Sequence, residues 1–525
     1  MSYLSKPFLI FLPLLSYLGV VLLLSPHITQ AAGNTYYVRT GGQGSCGSAQ
    51  TDNDASAVSS IQAGVNCIQG PGDTVIVHGG TYGSYGQNMN IPDISGNSSN
   101  RITLRAAGDG TVWMRGQLQF PFQTAQFWTV DGINIDGGYW PNNCANITES
   151  SSQSIPCRNV VMTSGSNNRF ANMEVMHASY YGIEAGDNNT FIKVRSHDHG
   201  NDPQTLCRGN PATAGGQCHG FYTHDLNNVF DGVESYNNNG QGIALTLGSA
   251  SVTVKNSKLH DNTGMAIQFA YAWTNHLIFN NLIYNNGSGF AVFASDSSQF
   301  YNNTIVGNGS CIDLVTDENG NGSDNNTLRN NICYQNGSTI FDQGSGNVQS
   351  NNLTTNPNFV NASNGDFHIT SNSPARDAGT ALSQVPCDHD GNARPAGSAY
   401  DIGAYEYGSS PGRRMFRLNI ITDPHTSSVR CYLYAIHEQQ PDTPRVWSPL
   451  GRDEPERDAG ERELHPTHVI AQSGGPEYDE DGVCIQDGVC SPEWSIKLES
   501  GGPLRFPAAI RGMVSLISPG SDEYS

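Results

Sequence analysis

The feature that most constrains this chain is an internal repeat, which runs from about Asn159 to Leu353 and is clearest between Asn228 and Asn286. Three segments superpose there: Val233 to Ile243, Ser257 to Ile267 and Leu282 to Phe290. They put Tyr236, His260 and Tyr284 in one column at intervals of 24 residues, and the column extends to His177, His197, Val306 and Tyr334. Two positions later come Ser179, His199, Asn238, Asn262, Asn286, Asn308 and Asn336. Asparagine at the same place in successive turns predicts a ladder: each amide bonds the one above and below, and asparagine tolerates the left-handed backbone of a tight turn. A small residue and an apolar one follow, as in Gly182-Ile183, Gly220-Phe221, Gly242-Ile243, Ala266-Ile267 and Gly289-Phe290, and mark the start of a strand.

A period of about 20 to 28 residues, with β-branched and aromatic positions and no helical periodicity, predicts a parallel β-solenoid. The L-x-x-L-x-L frame of a leucine-rich repeat is absent. The segment resembles the right-handed parallel β-helix family that includes pectate lyases and other polysaccharide lyases, over roughly residues 34 to 407. The resemblance implies an all-β, right-handed parallel β-helix whose apolar end is covered by an N-terminal helix. Val58, Ile61, Val65 and Ile68 recur at helical spacing, which predicts that helix over 54–67. The strand Thr74 to His78 and the turn Gly79-Gly-Thr-Tyr82 match the way members of this family open their coil. The run from Asn356 to Glu406, with Asp377, Asp388, Asp390 and Arg394, resembles the segment that closes many secreted bacterial β-helices, so those four residues are expected to be structural.

Around this frame the chain divides into a leader (1–31), the solenoid (32–407) and a tail (408–525). The leader pairs Lys6 with an uncharged apolar run from Phe8 to Leu24 and a small-residue site at Thr29-Gln-Ala31, the pattern of a secretory signal, with a retained anchor as the alternative. Twelve cysteines in a secreted chain favour disulfides, and near pairs suggest themselves: Cys46 with Cys67, Cys144 with Cys157, Cys207 with Cys218, Cys311 with Cys333 and Cys484 with Cys490, leaving Cys387 and Cys431. Over 409–525, 29 of 117 residues are charged, against 44 of the first 408, which predicts an accessory domain or a partly disordered extension. Gly42 to Gly47 spells G-x-G-x-x-G, but no helix opens directly after it and no βαβ unit follows, so a turn is expected rather than a dinucleotide site.

Net charge and insertions direct the functional reading. A formal charge of −21 argues against nucleic acid and requires a local basic group or bridging cation if the substrate is a polyanion. Polar insertions interrupt the repeat at 142–157 and 200–217, and insertions in a solenoid fall on turns and commonly wall a groove. A third insertion, Asp317-Glu-Asn-Gly-Asn-Gly322, matches the first half of an EF-hand loop but has Leu328 where the bidentate glutamate belongs. Asp317, Asn319 and Asn321 are its candidate calcium ligands.

Strand alternation then selects a site. With Ile183, Phe221, Ile243, Ile267 and Phe290 inward, Glu184, Tyr222 and Gln268 point outward on neighbouring coils, and His224 lies two further on. His224 is the candidate base, Tyr222 the candidate acid, and Arg208, or a calcium held by Asp187 and Asp225, the neutraliser of a substrate carboxylate. Glu184, Gln268 and His199 are candidate substrate contacts. These roles follow from what polysaccharide lyases need, and they predict a secreted, monomeric protein that binds an acidic polysaccharide and cleaves it by β-elimination or epimerises it. The lysine or arginine base of many such lyases has no counterpart in the strip, so a non-catalytic surface solenoid is the competing reading. His177, His197 and His260 share their column with tyrosines and are read as stacked ladder residues rather than a metal set.

Overall fold

In the computed structural model residues 33–121, 124–139, 159–201, 218–272, 274–317 and 319–408 are described, together with the backbone of five strands at 415–422, 429–436, 469–473, 494–498 and 514–517. The leader, most of the two longer insertions and the rest of the tail, including Cys144, Cys157, Cys207, Arg208, Cys484 and Cys490, lie outside them.

From Thr35 to Ser350 the chain winds as a parallel β-helix, and each coil lays down three short strands. One coil shows the plan: Thr253–Lys255 on a first face, Lys258–His260 on a second and Met265–Ala270 on a third. First-face strands form a 12-stranded parallel sheet. Second- and third-face strands form one 18-stranded sheet, because Gly80–Asn90 and Val112–Phe120 run around the corner between them. Short strands suffice because those inside each sheet are paired above and below.

The core is a set of stacked columns, and all five positions expected inward are at most 1% exposed. On the first face Phe170, Phe191 and Phe230 stack with ring centroids 5.2 and 5.1 Å apart. The predicted asparagine ladder runs Asn238, Asn262, Asn286, Asn308, Asn336, each Nδ2 donating to the next Oδ1 at 2.9 to 3.0 Å. The left-handed backbone, however, sits one residue earlier, at Asn237, Asp261, Asn285, Gly307 and Gln335. A second ladder, Asn281, Asn303, Asn331 and Asn352, turns the corner between the first two faces. Its signature is a doublet in which the first asparagine (280, 302, 330, 351) takes the positive φ and the second makes the ladder.

The N-terminal cap is shorter than expected. Only Ile61–Val65 is helical, with Ser60 capping it through Ala63 N; the residues from 54 onward form turns, and Val58 instead bridges Val38 in parallel. Ile61 and Val65 still close the core. Gly42 to Gly47 is a turn packed on residues 56–58, where a Cβ on Gly42 would fall 2.4 Å from Val58 O. At the far end the solenoid closes with polar residues: Gln349 and Asp342 continue the inward columns of Leu328 and Leu314, and Gln349 Nε2 donates to Asp342 at 3.0 Å. A polar last repeat protects an open solenoid end.

The segment after Leu353 is not an end cap. It runs back along the solenoid, packing Leu382, Val385 and Tyr400 on Phe279 and Tyr301, and Phe367 and Tyr405 on Leu282 and Val306. Arg394 is buried there, paired with Glu406 at 2.5 Å and donating to Gly403 O and Asn280 Oδ1. Asp388 accepts from Asn392 N and Glu406 N, and Asp377 from Ser398 N and Ala399 N, so these groups hold the segment's own turns. Cys46–Cys67 and Cys311–Cys333 are disulfides as expected, and Cys218 and Cys387 are also disulfide-bonded.

Candidate functional site

The third face carries the predicted outward column. Strand register aligns Met162, Glu184, Tyr222, Ala244, Gln268, Ala291 and Asp313 on successive coils. Glu184, Tyr222 and Gln268 are therefore brought onto one line, with Ala244 as the gap between the last two. Glu184 is held by Asn159 Nδ2. Tyr222 lies flat against Tyr181, with centroids 4.2 Å apart and planes 3° apart, and His219, from the same coil as Tyr222, stacks on Tyr181 at 5.2 Å with its own centroid 6.0 Å from that of Tyr222. Burial, with Tyr180, Tyr222 and Glu184 adding to it, pushes the Tyr181 phenol well up, so it stays protonated.

His224 follows its strand and is exposed; its ring centroid is 5.9 Å from that of Tyr222, and its Nε2 is 3.6 Å from Asp225. Asp225 titrates above the usual carboxylate range: burial raises it, the imidazole of His224 opposes this, and the nearby Asp187 charge raises it further. Asp187 also accepts from Leu226 N at 2.8 Å. The two carboxylates are thus neighbours at the end of the strand pair, an oxygen-only donor set of the kind that suits calcium.

His199 is a correction. It is fully buried in the ladder position where other coils carry asparagine: Nδ1 accepts from Ala178 N at 3.0 Å, and Nε2 meets Ser196 Oγ at 3.0 Å. Burial drives its pKa far down, so it is a neutral structural imidazole that no substrate reaches. The Asp317 loop lies apart from the column and closes on itself. Asp317 accepts from Asn319 N, Asn321 N and Asn321 Nδ2 at 2.7 to 2.9 Å, so its carboxylate holds the turn. Arg208 lies outside the described residues. Among the described residues no group of three or more His, Cys, Asp or Glu is arranged to hold a metal.

On the second face His197, Tyr236, His260 and Tyr284 form the expected stack, with centroids 4.4 to 5.1 Å apart. Their nitrogens bridge to carboxylates: His197 to Glu174 and Asp198, His260 to Glu234 and Asp261. Sequence reasoning missed Tyr181, His219 and Gln241, which adjoin the column one coil after another. The available signal was their common place just before the small residue that opens each third-face strand.

Residues 248–373 match the family model described as right handed beta helix region. Among solved structures, the chain is similar to a pectate lyase, Pel9A, at 19% identity with a TM-score of 0.50, over 71% of this chain and 96% of that one. It is also similar to a rhamnogalacturonan lyase (18%, TM-score 0.46, 62% and 91%) and to the A-module of the Azotobacter vinelandii mannuronan C-5 epimerase AlgE4 (16%, TM-score 0.37, 61% and 97%). No curated protein matches the sequence. Three-strand coils, stacked ladders, the match to the right handed beta helix model and the likeness to Pel9A agree on one architecture: the solenoid is a right-handed parallel β-helix.

Proposed function

We propose that this protein is a secreted, monomeric, carbohydrate-active enzyme whose third face binds an acidic polysaccharide and acts at its C5 position. The observation that carries the reading is the outward line Glu184, Tyr222, Gln268, flanked by His224 and by the parallel rings of Tyr181 and His219. Coils repeat at about 4.8 Å, so such a line presents polar groups and flat rings at a regular interval to an extended chain of sugars. The leader pattern and the disulfides support an extracellular setting.

In β-elimination a base removes the C5 proton, the C4–O4 bond breaks as C4=C5 forms, and an acid supplies the proton that the leaving oxygen needs. His224 acts as the base in its neutral form, and Tyr222, beside it on the same strand end, gives its phenolic proton to O4. In epimerisation the proton is instead returned to C5 from the opposite face. Asp187 and Asp225 would hold a calcium ion, whose positive charge would offset the uronate carboxylate against a chain of net charge −21.

Incubation with polygalacturonate and alginate, with and without calcium, tests this through absorbance at the unsaturated product and through uronate stereochemistry. His224→Ala and Tyr222→Phe should each lower the rate about a hundredfold. The net charge of −21 and the absence of lysine and arginine from the aligned column favour, as the second reading, a solenoid that binds glycan without turning it over. Binding with neither product nor inversion would establish that reading and refute the first.

A further inference from the structure

We propose that Arg115, Tyr85 and the Asp136–His177 pair form a second subsite for an acidic sugar, on the second face of the solenoid, where Arg115 takes the uronate carboxylate and His177 Nε2 takes a hydroxyl. This rests on the acidic-glycan reading above and adds the basic group that the third-face column lacks. Strand register places Gly83, Arg115 and Asp136 in one outward column on neighbouring coils. The register of the first of these strands breaks between Gly83 and Asn88, which lets Tyr85 leave the strand and lie across the column. Its phenol donates to Asp136 Oδ2 at 2.7 Å, and the Arg115 guanidinium lies over its ring, 5.2 Å from the centroid. Gly138 gives the ring room, since a Cβ there would fall 2.3 Å from it.

His177 does not join the ring stack of this face. Met176 is the residue in register with His197, and His177 takes the left-handed corner place held on later coils by Asp198, Asn237 and Asp261, with φ 58°. Asparagine and aspartate serve that conformation well, so the backbone does not call for an imidazole there. Asp136 orients the ring: its Oδ1 meets Nδ1 at 2.8 Å, and because a carboxylate only accepts, the proton is on Nδ1. Nε2 has no partner among the described residues, and the side chain is 32% exposed, so a ligand reaches it. Burial opposes the ionisation of Asp136, but bonds from His177, Tyr85 and Gly138 N outweigh it and hold the carboxyl below the usual range. Arg115 is exposed and is in no ion pair with a described carboxylate, although the chain carries a net charge of −21. Such a guanidinium is a donor-only cation, which selects an anion over a neutral group. Arg115 and His177 stand two coil spacings apart, about 10 Å, so one sugar or two neighbours in a chain meet both.

Isothermal titration of the full chain in EDTA, which takes up any calcium that Asp187 and Asp225 would hold, compares oligogalacturonate with a galactan oligosaccharide of the same length, which lacks the carboxylates. Oligogalacturonate should bind about tenfold tighter than galactan, and Arg115→Gln should remove about that factor. Arg115→Lys, which keeps the charge, should hold most of it, and Tyr222→Phe should leave the affinity in EDTA unchanged. His177→Asn, which suits the left-handed corner and so folds, should weaken oligogalacturonate severalfold. Equal losses in Arg115→Gln and Arg115→Lys, or no loss in Arg115→Gln or in His177→Asn, would overturn the subsite. So would a loss in Tyr222→Phe, which would move the sugar to the third face. If the wild type binds oligogalacturonate only once calcium is restored, the subsite falls and the third-face reading stands; if it binds under neither condition, both fall.

Discussion

Replacing Asn262 by alanine tests whether the ladder holds the coils together. Asn262 is buried and makes four side-chain bonds. Its Nδ2 donates to Ser235 O and to Asn286 Oδ1, both at 2.9 Å, and its Oδ1 accepts from Asn238 N at 3.2 Å and from Asn238 Nδ2 at 2.9 Å. The partners are not equally exposed to the loss. Asn286 Oδ1 keeps Asn262 N at 3.1 Å, and Asn238 Nδ2 keeps Ser235 Oγ at 3.0 Å. Asn238 N loses its side-chain acceptor in a dry turn, a deficit of about 1–3 kcal/mol, and the other three bonds add roughly 1 kcal/mol or less apiece, so the expected cost is about 3–5 kcal/mol. Asn336, at the partly exposed end of the ladder, is the control: it gives a bond to Ile305 O and accepts two from Asn308. Water can replace those, and Asn336→Ala should cost about 1 kcal/mol. Urea unfolding followed by far-ultraviolet circular dichroism measures both. Equal losses, or a loss below about 1 kcal/mol at Asn262, would show that coil packing alone carries the stability.

Three further outcomes follow from the same geometry. Gly220→Ala should fold poorly, because the added Cβ would fall 2.0 Å from Ser235 Oγ and 2.7 Å from Gly242 O, and soluble yield with wild-type melting would show that the turn can yield. Hydrogen bonds donated to Asp390 and Asp366, outweighing burial, raise His368 to about 9. A group raised on folding stabilises fully below its unfolded pKa, so the segment beside the solenoid should lose stability from about pH 6.5 upward through 9, and His368→Gln should flatten that part of the melting-temperature profile. If calcium sits between Asp187 and Asp225, adding it should raise the melting temperature of the wild type and not of Asp225→Asn, as thermal-shift measurements would record.

How much of this was legible in sequence depended on which residues the repeat controls. Glu184, Tyr222 and Gln268 could be aligned because side chains alternate along a strand and coils stack in register, so one correct inward position fixes its outward neighbours. Tyr181, His219 and Gln241 escaped because they precede the glycine, where the backbone turns the corner and strict alternation breaks; only their shared place before Gly182, Gly220 and Gly242 marks them. His199 failed for the opposite reason. Its column assigned it to the ladder, two positions after His197, yet the adjoining insertion invited a surface role. The structure obeys the column, since an imidazole with one accepting and one hydroxyl-facing nitrogen fills the space of an asparagine amide. The helix was overextended because Val58 meets the helical spacing while pairing as a strand with Val38. The same distinction bears on function. The repeat dictates which side chains leave the core, but whether one outward residue meets another depends on what the neighbouring coil brings beside it, as Tyr181 and His219 do for Tyr222.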